Sequence, residues 1–251
     1  MKSRCISEPL RVVCRLAVVA IALLLPACGG IPSFSSDGKT SVPQQGDKSS
    51  VSQFGKSDID RLADVQMREN TLSLRLLMTK LYKRNPRELK KSTSGTVDEM
   101  VDWVFEGGHG WRFKKINEAE GTVAIQQAFE PDFAGDRVLS FIAGVQTMLI
   151  KAHGGKAEFY MTDSIEPQKI YNAARNVELA AWKLSTSRNS AGQLYLLSNE
   201  LSDTERNLTF EREFGKIVGR LDLYAETLSE KSERLITRVA QGLATALFLP
   251  F

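Results

Sequence analysis

The 251-residue sequence predicts a mainly α fold: an irregular helical bundle with a long C-terminal amphipathic helix. Three observations predict it. Beyond residue 56, apolar side chains recur every three to four positions through most of the chain. Two capping-box patterns occur, one at Thr96 and Glu99, the other in Ser202-Asp203-Thr204-Glu205. Stop signals at Asn85-Pro86, Gly107-Gly108 and Gly154-Gly155 divide the periodic stretches.

A helix opens at Ser57 or Asp58 and runs to about Arg84, with Ile59, Leu62, Leu77, Leu81 and Tyr82 on one apolar face. The Thr96 capping box starts a short helix through Phe105, closed by Gly107-Gly108. Between residues 110 and 126, Trp111, Phe113 and the stretch 122–125 admit a small β-hairpin. The segment 135–152 carries Val138, Leu139, Phe141, Ile142, Val145, Leu149 and Ile150. It is apolar nearly all round and belongs at the centre of the core. Pro167 suits the first turn of a helix to about Ser187, with Tyr171, Ala174, Val177, Ala181 and Trp182 inward. After Ser202 the apolar pattern persists from Phe214 through Leu221 and Val239 to Leu247. An unbroken helix of about 45 residues would be ~67 Å long, more than a globular domain ordinarily holds. Gly215, Gly219 and the polar run 229–234 are therefore the expected places for a bend or break, and the two glycines also offer a close helix crossing. No tetratricopeptide-like repeat is present.

The N-terminal 56 residues read differently. Lys2, Arg4, Arg11 and Arg15 precede an apolar run at 16–25, and Leu25-Pro26-Ala27-Cys28 follows. That order resembles the signal peptide and lipobox of bacterial lipoproteins. The resemblance implies cleavage before Cys28, whose sulfur takes diacylglycerol and whose freed amine is acylated. Ten apolar residues span ~15 Å as a helix, half of what a bilayer core needs, so the run is not read as a retained anchor. Pro26 departs from the family pattern, which prefers a small or β-branched residue. Gly29 follows the cysteine where inner-membrane retention would use Asp, so the resemblance implies the outer membrane, facing the periplasm. Residues 28–56 read as the lipidated cysteine and a disordered tether, rich in Ser, Gly, Gln and Pro, with a typical end-to-end distance of about 30 Å. Residues 57–251 then form one helical periplasmic domain.

Composition narrows the function. Residues 1–27 hold four basic side chains and one acid, Glu8, so the net charge of +3 belongs to the signal and the remainder is neutral. That balance does not support a nucleic-acid partner. Cys5 and Cys14 leave with the signal and Cys28 is lipidated, so the domain has no thiol for a disulfide or zinc site. His109 and His153 are the only histidines, which excludes a histidine-rich zinc site; no metal or cofactor is expected.

The most suggestive chemistry lies in Trp103-Val104-Phe105-Glu106-Gly107-Gly108-His109-Gly110-Trp111. An acid, an imidazole, a glycine turn and two indoles suit a glycan-binding or hydrolytic loop, with Glu106 as general acid and His109 beside it. The plainer reading is a glycine-capped helix end among buried aromatics. His153, at a helix end, is expected as an imidazolium facing the C-terminal dipole. No Gly-x-Ser-x-Gly elbow, phosphate loop or dinucleotide fingerprint occurs. The apolar end, 247–251, is expected to dock on its own core. The leading expectation is a non-catalytic binding, scaffolding or assembly lipoprotein with a membrane contact through Cys28 and an envelope protein partner. The alternative is an envelope enzyme acting on glycan or peptidoglycan through Glu106.

Overall fold

A computed structural model describes residues 58–155, 165–201, 206–233, 236 and 248–251. The signal, Cys28, the tether, the Ser202 capping box and Val239 lie outside the described residues. Among those described, the architecture is seven α-helices with one minimal strand pair. The helices are α1 (Asp58–Arg84), α2 (Pro86–Ser92), α3 (Val97–Glu106), α4 (Gly121–Gln127), α5 (Arg137–Ala152), α6 (Pro167–Thr186) and α7 (Thr209–Ser232). A 3-10 turn occupies Lys114–Ile116, and β1 (Glu200–Leu201) pairs antiparallel with β2 (Arg206–Asn207).

Helix α1 carries Asp58 and Asp60 in its first turn and Lys83 and Arg84 in its last, matching the helix dipole at both ends. It closes at Asn85, whose side-chain amide donates to the Leu81 carbonyl at 2.8 Å. Pro86 stops α1 and also begins α2, because a proline at the first helical position loses no hydrogen bond. Both halves of the Thr96–Glu99 capping box are formed, at 3.2 and 2.8 Å, and α3 ends within one residue of the sequence expectation.

The core is built around α5. Every residue of that helix except Ile150 and Lys151 is buried, and α1, α4 and α6 all pack on it. Its N-cap Asp136 is itself buried. The carboxylate accepts from Leu139 N at 3.0 Å, Tyr82 Oη at 2.7 Å and Ser92 Oγ at 2.6 Å, tying α1 and α2 to the start of α5. Burial raises this carboxyl above its ordinary value, against the opposing pull of those three donors.

The hairpin admitted near 110–126 is absent; this stretch is the 3-10 turn followed by α4. The stretch 122–125, with three β-branched residues of four, is helical because α5 offers it a docking groove. A Cβ on Gly144 would lie 2.7 Å from Ile125 N and 2.8 Å from Gly121 O, so the backbones approach as closely as glycine allows. Thr147 Oγ1 accepts from Gly121 N at 2.7 Å, and Ser140 Oγ donates to Ala124 O at 2.8 Å, holding the start and the middle of α4. Tertiary fit overrides local strand propensity here.

Helix α7 packs on α6 and α1, burying Phe210, Phe214, Ile217, Leu221, Tyr224 and Leu228. It begins at Thr209, whose N–H donates to Asn207 Oδ1 at 3.1 Å, downstream of the Ser202 box. It ends at Ser232, with Glu233 at φ 54°, inside the polar run expected to break it. Gly215 and Gly219 do not break the helix or mark a close crossing; it runs through both, and a Cβ on either would meet nothing within 4 Å. The C-terminal residues dock on α6. Asn176 accepts from Leu249 N at 2.7 Å and donates to Leu249 O at 2.8 Å, and Asn172 donates to Pro250 O at 2.7 Å. Phe248 and Phe251 pack against the core.

Candidate functional site

The segment singled out in the sequence forms an aromatic turn at the end of α3. Its rings make a connected cluster. His109 lies 4.8 Å from Trp103 and 4.4 Å from Phe113, Trp103 lies 5.4 Å from Phe113, and Phe105 meets Trp111 edge-on at 5.2 Å. His109 Nε2 donates to the Trp103 carbonyl at 2.7 Å, so the imidazole caps the last turn of the helix. Gly107 is extended, at φ −70°, and does not take the left-handed conformation usual for a glycine cap. Glycine is needed there because a Cβ would press on the Trp103 carbonyl and the His109 ring. The left-handed positions are Gly110 and Trp111, at φ 59° and 62°, and they reverse the chain so that Trp111 can reach Phe105.

Glu106 and His109 have separate partners among the described residues: Arg75 for the carboxylate and the Trp103 carbonyl for the imidazole. The Glu106 side chain is 65 % exposed, and its Oε1 accepts from Arg75 at 2.7 Å, while Asp102 binds the same guanidinium. Glu106 thus faces solvent on one side and the Arg75 cation on the other.

What the turn does form is a cleft of about 540 Å³ between α3, the end of α2 and the 3-10 turn. Met100, Trp103 and Phe113 supply its apolar surface, and Trp103 is 49 % exposed, unusual for an indole. Arg112, Lys114 and Lys115 line the same cleft. Arg112 also pairs with Glu120 at 3.6 Å, and the acid among the described lining residues, Glu99, is held by the capping box, where hydrogen bonds from Thr96 lower its pKa. An indole face beside three cations suits an apolar or planar group that carries negative charge. The cations are adjacent in sequence, but nothing there indicated that the 3-10 turn would set them around Trp103.

His153 is placed at the end of α5 as expected, yet its charge state differs. The residue is 1 % exposed and burial lowers its pKa from 6.5 to about 4, so it is neutral at pH 7. Nδ1 donates to the Leu149 carbonyl at 2.8 Å, which leaves Nε2 to accept from Gln66 Nε2 at 2.6 Å. The ring also stacks on Tyr224 at 5.7 Å, with the planes 7° apart. The dipole-facing imidazolium is therefore replaced by a neutral hub between α1, α5 and α7, because desolvation outweighs the attraction of the helix end.

Among the described residues, no group of three or more His, Cys, Asp or Glu side chains is placed to hold a metal, and no helix is long and apolar enough to cross a membrane. No protein-family model, curated protein or solved structure matches this chain.

Proposed function

We propose that this chain is a lipid-anchored cell-envelope lipoprotein, acylated at Cys28, whose helical domain is a non-catalytic binding or assembly factor. Its anchor is proposed to lie in the outer membrane, facing the periplasm. The partner is an envelope protein that presents an acidic, partly apolar segment to the cleft beside Trp103. One observation carries the binding reading: a half-exposed indole in a cleft lined by Arg112, Lys114 and Lys115. Exposed aromatic and basic groups at one place are the usual makings of a binding anchor. The signal and lipobox pattern supports the anchor. Hydrolysis through Glu106 has less support, since that carboxylate is exposed, bound to Arg75 and not part of the cleft wall.

The test uses intact cells carrying a photo-reactive amino acid at Lys114. One discrete adduct is expected, lost when Trp103→Ala is added at equal protein abundance. Absence of any adduct refutes the cleft as the contact. In parallel, Cys28→Ser is expected to abolish labelling by a fatty-acid probe, and persistent labelling refutes the lipobox assignment.

A further inference from the structure

A second cleft, of about 870 Å³, lies where α1 meets α2, with the 188–197 segment as its opposite wall. Four arginines line it: Arg84, Arg87, Arg137 and Arg188. Among the described lining residues the one acid is Glu88, and its charge is already engaged. Both carboxylate oxygens accept from Lys91 Nζ, at 2.8 and 2.9 Å, and one also accepts from the Arg137 backbone at 2.7 Å. The cleft therefore gathers positive charge with its one carboxylate spoken for.

The walls are built, not draped. Asn85 grips the far wall at two points, accepting from Leu197 N at 2.8 Å and donating to Leu197 O at 2.9 Å. A bridge between Arg188 and Leu194 closes a turn in which Asn189 Oδ1 accepts from Ala191 N and Gln193 N, both at 3.0 Å. Arg188 itself donates to Gly192 O at 2.9 Å. The Arg137 guanidinium is buried and lies over the Tyr195 ring at 4.5 Å. Its donors go to the carbonyls of Ala128, Glu130 and Phe133 at 2.7 to 2.9 Å. Carbonyl dipoles solvate that charge but do not neutralise it. Arg87 is exposed and makes no hydrogen bond or ion pair among the described residues. Arg137 thus supplies charge with its fork spent on carbonyls, whereas Arg188, held at Gly192, and the unengaged Arg87 have guanidinium donors left, and a guanidinium fork matches the bidentate geometry of phosphate oxygens better than an ammonium does.

We infer that this cleft binds a phosphate-bearing ligand. Its volume exceeds that of one phosphate, so the anion comes attached to a larger polar group. That group is either a lipid headgroup or a free phosphorylated molecule. This inference is independent of the cleft beside Trp103 and of acylation at Cys28.

The experiment uses the full chain carrying Cys28→Ser, so that an acyl anchor does not mask the readout. One arm titrates it with inorganic pyrophosphate by calorimetry. The other measures co-flotation with phosphatidylcholine vesicles, with and without phosphatidic acid. Saturable binding is expected in at least one arm, weakened tenfold or more in an Arg87→Gln/Arg188→Gln chain that still unfolds cooperatively. If loss of the Arg188 bond to Gly192 disrupts folding, Arg87→Gln alone carries the test, with at least a threefold loss expected. Binding in the pyrophosphate arm identifies a free phosphorylated ligand. Binding confined to phosphatidic acid vesicles identifies a headgroup. No saturable binding in either arm overturns the inference, as does an affinity unchanged by Arg87→Gln.

Discussion

Acidification should weaken this fold through one buried imidazole. His153 holds its proton on Nδ1 for Leu149 and offers Nε2 to Gln66, and the stacked face of Tyr224 keeps water away. A second proton would turn the Nε2 acceptor into a donor aimed at another donor. Burial lowers the folded-state pKa from 6.5 to about 4. The unfolded chain therefore binds more protons between those values, and stability falls as pH drops through that window. At ~1.4 kcal/mol per tenfold change in proton affinity, the full effect is ~3 kcal/mol, of which ~2 kcal/mol is lost by pH 5. Glu99 and Glu213, both held below their usual range, weaken the fold under acid too. A pH series on the unaltered chain is thus not diagnostic.

The diagnostic quantity is the difference between the unaltered chain and His153→Leu, measured by urea unfolding at pH 7.5 and pH 5. The variant is expected to be the less stable at pH 7.5, since it strands Gln66 and leaves a poorer fill beside Tyr224. Its deficit should shrink by ~2 kcal/mol at pH 5, where the imidazole has become a liability. An equal deficit at both pH values would refute a neutral, proton-resisting His153.

Three further outcomes follow from the packing. Asp136→Ala removes the N-cap of α5 (~1 kcal/mol) and strands the buried Tyr82 hydroxyl (~1–3 kcal/mol), so a urea-unfolding loss of about 2–4 kcal/mol is expected; a loss below 1 kcal/mol contradicts the network. Gly144→Ala should lower Tm despite a helix-propensity gain of up to ~1 kcal/mol, because the new methyl meets α4 backbone at 2.7 Å and overpacking costs ~1–3 kcal/mol. A raised Tm would show that α4 is not seated on that glycine. Glu106→Gln, at an exposed ion pair, should change urea stability by less than ~1 kcal/mol and leave photo-adduct formation at Lys114 intact. Loss of the adduct at normal abundance would instead return Glu106 to the functional surface.

The legible parts of the fold were those specified locally. Thr96 and Glu99 satisfy each other's backbone within four residues, and Pro167 fixes its own φ, so α3 and the start of α6 could be placed from sequence. The even apolarity of 138–150 likewise predicted the central helix, because only a surrounded helix needs no polar face. The failures were long-range. Whether residues 122–125 become strand or helix is decided by Gly144 and Thr147, some twenty residues on, and by the groove they open. The charge on His153 is decided by its burial, which depends on distant α1 and α7 packing beside it. The candidate site divides the same way. The aromatic turn was visible as a run of letters, but its role as a cleft wall depends on where the 3-10 turn sets Arg112, Lys114 and Lys115. The arginine cleft had no sequence signature, since Arg84, Arg87, Arg137 and Arg188 come from three separated stretches.

Both clefts depend on one small helix. Arg87 and Glu88, in the first turn of α2, line the arginine cleft, and Ser92, at its last position, lines the cleft beside Trp103. Seven residues of helix are only ~10 Å long, and so short a helix has little stability of its own. Its seat is supplied by neighbours. Ser92 is fixed to Asp136, Glu88 to the backbone of Arg137, and Lys91 to both Glu88 and the Gly135 carbonyl at 3.0 Å. Apart from the Lys91–Glu88 pair within α2, these contacts converge on the start of α5, the most buried helix of the fold. The core thereby sets the position of two basic surfaces through a handful of hydrogen bonds at residues 135–137. That arrangement explains why a buried carboxylate is kept at Asp136 despite its desolvation cost: no apolar residue could accept from Tyr82, Ser92 and the α5 backbone together.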